Sequence, residues 1–458
     1  MVAPSLPVWV LPPSTLNGDT PVVGEGRFEL PASCSQSRRA AKLRHSPAAP
    51  VYAVAVEASE LDARNVPATS GLDDLSYTSS TVPSSESVHR ARSFDPARSV
   101  EPDGFARRTK KISGAAEPRP VARVAVFDLG SSSFHVLVAD VTDSGDIRAV
   151  ARDREMLHLG AVVSRTGRVP KAELRRAIEV VRRLRAVVDG VGADRVIGLA
   201  TAALRDASNG GEVVDELSRW AGVPIRLLDG EAEARVVFAG QLAGASRMGL
   251  NWPDDGQDSF LGIDLGGGSL ELAVGGPGGV IWATSADVGV ARVHGALNLS
   301  DPLGAKGRYK VAEYTSGALD AAGGGILGHS YLAVLASGGT SRALARLVRA
   351  AEIPGQAGIG QSDLDGDEEA GTHGMVMSAA KLGDLAAMLA RSTESQRLAM
   401  PGVQARRAAL LPIGAAIIAE VTRRLGVSSL VVSDWGLREG AILDELDLSR
   451  VVKLGSKL

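Results

Sequence analysis

Hydrophobic and polar positions divide this chain into a long irregular beginning and a patterned body. From about residue 121, short apolar runs alternate with amphipathic stretches. Val124-Ala125-Val126-Phe127 and Phe260-Leu261-Gly262-Ile263 each run into Asp-Leu-Gly, a turn of small residues and a second apolar run. Both predict a strand–turn–strand hairpin. Leu174, Ala177, Ile178, Val181, Leu184 and Val188 recur at helical spacing and predict a helix from Lys171 to Asp189. Residues 195–200, 225–228, 332–337 and 429–433 read as strands, with helices over about 212–221, after Asp229, over about 410–425 and after Gly436. Strands alternating with helices predict mostly parallel sheets, whose ligands bind beyond the carboxyl ends of the strands, where Arg205 and Glu233 stand. Two similar hairpins imply two similar halves closing on one ligand, a bilobal α/β architecture.

Residues 1–120 carry no sustained periodicity and are rich in Pro, Ser, Arg and Ala. Such a stretch does not bury enough apolar surface to offset chain entropy and is expected to be disordered, or spurious. Its GRFELPASCSQSRRAAKLRHS passage resembles a translated transfer-RNA gene region, which places the expected native start near Val121 or Val124. The opening residues lack the basic region of a signal peptide. The 458 residues, 45% hydrophobic, suffice for sizeable cores, and a net charge of −3 gives no blanket attraction to nucleic acid or membrane. No run of about 18 apolar residues predicts a membrane span. The single cysteine, Cys34, excludes an intrachain disulfide framework and fits a reducing compartment, and the absent export signal makes the cytoplasm the expected location if the N-terminal stretch is spurious. The arginines along the 171–189 helix are a solvated face or an attraction for a polyanion. The acidic, glycine-rich stretch 355–374 reads as a loop, because its glycine falls too early for an EF-hand.

The chemistry concentrates in the glycine turns. Successive glycines let backbone N–H groups point to one centre and make an anion nest. Gly266, Gly267, Gly268 and Ser269 form one such turn, Gly130, Ser131, Ser132 and Ser133 a second, and Gly339-Thr340 a third strand-to-glycine turn. Asp264 and Glu271 bring carboxylates beside the first, and Asp128 stands likewise in its upstream copy. A nest flanked by carboxylates suits a phosphate held with a divalent cation. An ordinary glycine hairpin is the plain alternative. So is an Arg205–Asp206 ion pair, and for Glu233 a first-turn carboxylate favoured by the helix dipole.

Taken in order, VFDLGSSSFHVLVADV, LATAALRDASNG, LLDGEAEARVVFAG, LGIDLGGGSLELAVG, ASGGTSRAL, PGVQARRAALLPIGA and VVSDWGLREGAILDEL resemble the exopolyphosphatase/guanosine pentaphosphate phosphatase family over about 121–447. The resemblance implies the actin-like ATPase fold: two ribonuclease H-like lobes, here 121–250 and 258–447, with a cleft between them and a final helix packing back on the first lobe. The helical HD-type domain of larger members is not expected. By the same resemblance Glu233 is the catalytic glutamate, Asp264 and Glu271 (with Asp128) are metal-binding carboxylates, Arg205 contacts phosphate, and the three glycine turns hold phosphate. Ser132 replaces a common Asn, Ala232 an extra acid, and Ala409 the usual Asp after Arg407-Ala408.

The implied activity is release of orthophosphate from the end of inorganic polyphosphate, with Mg²⁺ or Mn²⁺. The alternative within the class is removal of the 5′ γ-phosphate from guanosine pentaphosphate (pppGpp). Further alternatives are a sugar-kinase-like protein, disfavoured because Glu233 follows Asp-Gly in the hydrolase pattern, and a sensor without turnover. Family members often dimerise, so a homodimer is an expectation too.

Overall fold

The computed structural model describes residues 120–250, 259–276, 279–323, 331–352 and 371–448. Expectations for residues 1–119, including Cys34, fall outside the described residues, as do those for 251–258 and for most of the acidic loop (353–370).

Each half is built on one sheet. The first contains β1 (Pro120–Leu129), β2 (Ser133–Thr142), β3 (Ile147–Met156), β4 (Arg195–Ala200) and β5 (Ile225–Leu227), in the order β3-β2-β1-β4-β5. The second contains β6 (Ser259–Leu265), β7 (Leu270–Gly276), β8 (Gly279–Ala286), β9 (Tyr331–Ser337), β10 (Val376–Ser378) and β11 (Ser429–Val432), in the order β10-β11-β9-β6-β7-β8. Without the added edge strand β10, the second order repeats the first, three antiparallel strands and then two parallel ones, so both sheets are mixed and not mostly parallel as the alternation of strands and helices predicts. Two ribonuclease H-like lobes follow, and the molecule has the actin-like ATPase fold.

The central strands read as continuous apolar runs because both faces are covered. On β1, Ala125, Phe127 and Leu129 pack on one side under the helix Lys171–Val191, and Val124 and Val126 on the other. That second side is closed by Ala441 and Ile442 of the final helix, Leu437–Glu445, which arrives from the second half. In return the helix Gly230–Arg247, which follows β5, lays Phe238 on the second sheet against Phe260, Ala273 and Leu335. Gly262 and Gly275 make room for that ring, since a Cβ at either position would stand 2.5 Å from it.

The two exchanged helices cross with no side chain between them. A Cβ on Gly440 would overlap the Val236 carbonyl oxygen, and one on Gly240 the Gly436 carbonyl oxygen.

The arginine-rich face of the Lys171–Val191 helix is satisfied locally. Arg176 pairs with Glu173 (3.0 Å), Arg185 with Asp189 (2.8 Å), and Arg183 with Asp153 (2.9 Å) and Glu155 (2.8 Å) of β3. Arg182 lies over Trp220, 4.8 Å from the ring centroid. These are exposed pairs of small energetic weight, which favours the solvated-face reading.

Candidate active site

Both hairpins turn in the same way. The Gly130 N–H donates to Ser133 O (3.1 Å) and the Gly266 N–H to Ser269 O (3.0 Å), so each turn closes directly after its Asp-Leu-Gly. The two turns face each other across the halves: a Cβ on Gly267 would overlap Ser132 Oγ, and one on Gly268 would overlap Ser131 Oγ. Only glycine permits that approach. The Ser131 hydroxyl oxygen also accepts from the Ala203 N–H (2.9 Å), leaving its proton for a ligand. In the third turn Gly338 takes φ +88°, and the helix Gly338–Glu352 begins there with Thr340 buried in its first turn.

The duplication is symmetric in backbone and asymmetric in chemistry. On the antiparallel pairs, Asp264 stands opposite Glu271, whereas Asp128 stands opposite His135. Glu271 is buried and is bonded by Ser269 and by Ser285 Oγ (2.9 Å). His135 Nε2 lies 2.7 Å from Ser133 Oγ.

Glu233 enters from the first turn of the Gly230–Arg247 helix, which Asp229 caps by accepting the Ala232 N–H (2.8 Å). The residue is 6% exposed, and Arg205 Nη1 donates to its Oε2 (2.8 Å) and to Leu228 O (3.0 Å). Arg205 therefore reaches the acids through Glu233. Its sequence neighbour Asp206 pairs instead with Arg292, whose Nε donates to Gly268 O (2.5 Å), tying the second half's glycine turn to the first half.

Four carboxyls share this space. Burial, then the charge of Glu271, pushes Glu233 well above the usual carboxylate range, and the Arg205 guanidinium pulls in the opposite direction. Burial and Asp264 raise Glu271 to about 7, and burial raises Asp128 to about 6. Asp264 is raised mainly by burial, and its Oδ1 is buried without a hydrogen-bond partner. Among the described residues no three His, Cys, Asp or Glu side chains converge to hold a metal alone. The donor set still fits Mg²⁺, which uses one or two carboxylates and completes its shell with water and phosphate oxygens. The orphaned Asp264 Oδ1 offers one such oxygen.

The same cleft is also lined by arginines with no assigned role in the sequence reading, among them Arg342, Arg406 and Arg407. Arg407 lies flat against Gly339, where any Cβ would overlap its guanidinium. Burial and the charges of Arg342, Arg406, Arg346 and Arg154 pull it down to about 9, so it remains a cation at neutral pH. Arg346 and Arg406 both donate to Gln404 Oε1 (2.9 and 2.8 Å). The Arg406-Arg407 pair is visible in the chain, but only folding brings it to Arg342 on another helix and Arg154 on β3.

The cleft thus joins every predicted glycine turn with Asp128, Glu233, Asp264 and Glu271. Fold and site together define a phosphate-handling protein of the actin-like ATPase class. A sequence model of the Ppx/GppA phosphatase family matches residues 137–449, and the chain belongs to that family. It is accordingly an enzyme, a hydrolase acting on phosphoanhydrides. The chain is 29% identical over 327 residues to "Exopolyphosphatase 1" of Mycobacterium tuberculosis, covering 71% of this chain and 88% of that protein. Its counterpart in Mycobacterium leprae is 27% identical, with 71% and 90% covered. Among solved structures, an exopolyphosphatase from Cytophaga hutchinsonii superposes with a TM-score of 0.59 at 23% identity, covering 71% of this chain and 98% of that one. The Aquifex aeolicus Ppx/GppA family member gives 0.55 at 24%, with 71% and 97% covered. Both likenesses bear on the fold alone.

Proposed function

We propose that this enzyme hydrolyses the terminal phosphoanhydride of inorganic polyphosphate, releasing orthophosphate, with Mg²⁺ or Mn²⁺ held at Asp264 and Glu271 and with Asp128 nearby. The observation that carries the reading is a crowd of arginines lining the same cleft as a buried acid cluster and the paired glycine turns. Repeated arginines recognise a repeated anion, and an anion relieves the crowding of their charges.

The N–H groups of the Gly130 and Gly266 turns and the hydroxyls of Ser131, Ser132, Ser133, Ser269 and Thr340 hold the terminal phosphoryl. Arg342, Arg406 and Arg407 hold the phosphates behind it. Glu233 orients the attacking water and takes its proton on Oε1, since Oε2 is occupied by Arg205. Its raised proton affinity suits a base near neutral pH. When bound, the divalent cation supplies charge neutralisation on the transferred phosphoryl. The single cysteine in 458 residues fits a reducing, cytoplasmic setting for this reaction.

The test is orthophosphate release from long-chain polyphosphate and from pppGpp, side by side with Mg²⁺. Release from polyphosphate is expected to dominate. Release from pppGpp with none from polyphosphate would assign the site to the nucleotide instead.

A further inference from the structure

We propose that Gln241 is a positioning residue for Asp264, acting through Ser337 to fix which carboxylate oxygen the cleft receives. This rests on the reading of Asp264 as a cation ligand. Gln241 is fully buried on the Gly230–Arg247 helix, two turns beyond Glu233 on the same face. Its Nε2 donates to Ile263 O (2.9 Å) and to Ser337 Oγ (2.8 Å). The Ile263 carbonyl can only accept, so the amide must present its nitrogen to the sheet. With a lone pair of Ser337 engaged by that N–H, the hydroxyl proton turns to its remaining partner. That partner is Asp264, directly opposite Ser337 in the β6–β9 register and hydrogen-bonded to it. One carboxylate oxygen is thereby held, and Oδ1 remains buried without a partner beside Gly338, where a Cβ would stand 2.5 Å from it.

The arrangement leaves Gln241 Oε1 unpartnered, in space that exists because Gly262 has no side chain. A buried carbonyl without a partner destabilises the fold, so an apolar side chain of equal length would serve the core at least as well. The amide is accounted for by what its nitrogen orders. A single helix then sets both Glu233 and Asp264.

The experiment uses the full chain and its Gln241→Met, Ser337→Ala, double and Asp264→Asn variants. Thermal midpoints are measured without metal, and Mn²⁺ affinity is measured in orthophosphate by water-proton relaxation. Gln241→Met should melt at or above the parent and bind Mn²⁺ about 10-fold more weakly, the usual scale for a residue behind a ligand. The double variant should bind no more weakly than Ser337→Ala alone, because the glutamine acts only through the serine. Parent-like Mn²⁺ binding by Gln241→Met, or losses that multiply in the double variant, would overturn the proposal while leaving Asp264 as a ligand. If Gln241→Met melts lower, the double-variant comparison at a temperature where all variants are folded still decides. Asp264→Asn binding Mn²⁺ like the parent would overturn the cation reading itself, and this proposal with it.

Discussion

The Gly240–Gly440 crossing joins the final helix to the helix that carries Glu233, and Gly440→Ala is the cleanest way to perturb it. A Cβ on Gly440 would overlap the Val236 carbonyl oxygen and lie 2.9 Å from its carbon and 3.1 Å from Gly240 N. All three atoms are backbone, so no rotamer change relieves the clash, and the helices must part by on the order of 1 Å. Overpacking of this kind costs about 3 kcal/mol, and better helix propensity returns about 1 kcal/mol. A net loss of about 2 kcal/mol corresponds to a midpoint lower by roughly 3 °C for a folded body of this size. The Gly230–Arg247 helix carries Glu233, so kcat should also fall, by about 10- to 100-fold for a displacement on this scale. The controls are Gly317→Ala and Gly383→Ala, two helical glycines with no heavy atom within 4 Å of an added Cβ. They should gain about 1 kcal/mol and keep full activity. Calorimetry and initial rates on the three variants make the comparison. A Gly440→Ala protein that melts with the parent at unchanged kcat would refute the reasoning.

Other outcomes follow from the site. Glu271 and Asp128 titrate above their unfolded values, near 7 and 6, so their contribution to stability is complete below about pH 4 and is lost as pH rises through those values. The metal-free protein should therefore melt lower at pH 8 than at pH 5, with added Mg²⁺ recovering more at pH 8; the opposite trend would discount the acid cluster. Arg205→Met removes the charge that restrains Glu233, so the acidic limb of the kcat–pH profile should move upward, and an unmoved limb would separate Arg205 from the base. Gly339→Ala displaces the Arg407 guanidinium, a flexible end, so KM for long polyphosphate should rise about 10-fold, roughly the loss of one charged contact, with little change in melting. An unchanged KM would remove Arg407 from the binding arginines.

Asp128, Asp264, Glu271 and two of the three glycine turns are legible in the chain because each lies in a contiguous strand–turn–strand pattern with its own period, whereas Glu233 and Gly339-Thr340 stand in the first turns of helices. The two Asp-Leu-Gly turns imply two similar halves, and the structure repeats one strand order in both. β3 was missed because Arg148, Arg152, Asp153, Arg154 and Glu155 break the alternation expected of a strand; it is an edge strand whose carboxylates Asp153 and Glu155 meet Arg183. The helix Gly304–Ala322 was hidden by three glycines among its own residues, Gly304, Gly307 and Gly317. Asp206 follows Arg205 in sequence yet faces Arg292, because consecutive helical residues point apart. The cleft arginines and the Gln241–Ser337 contact join residues from distant segments, and no local period marks them.

Glu233 is the claim on which the account depends most, since it separates turnover from binding. Initial rates against Mg²⁺, with polyphosphate affinity measured separately, should be compared for Glu233→Gln, Asp264→Asn and Glu271→Gln. Glu233→Gln should retain affinity and lose about 10²–10⁴-fold in turnover at every Mg²⁺ concentration. The other two should recover partly as Mg²⁺ rises. Rescue of Glu233→Gln by metal, or loss of affinity in proportion to rate, would make Glu233 a ligand and contradict its assignment as the base.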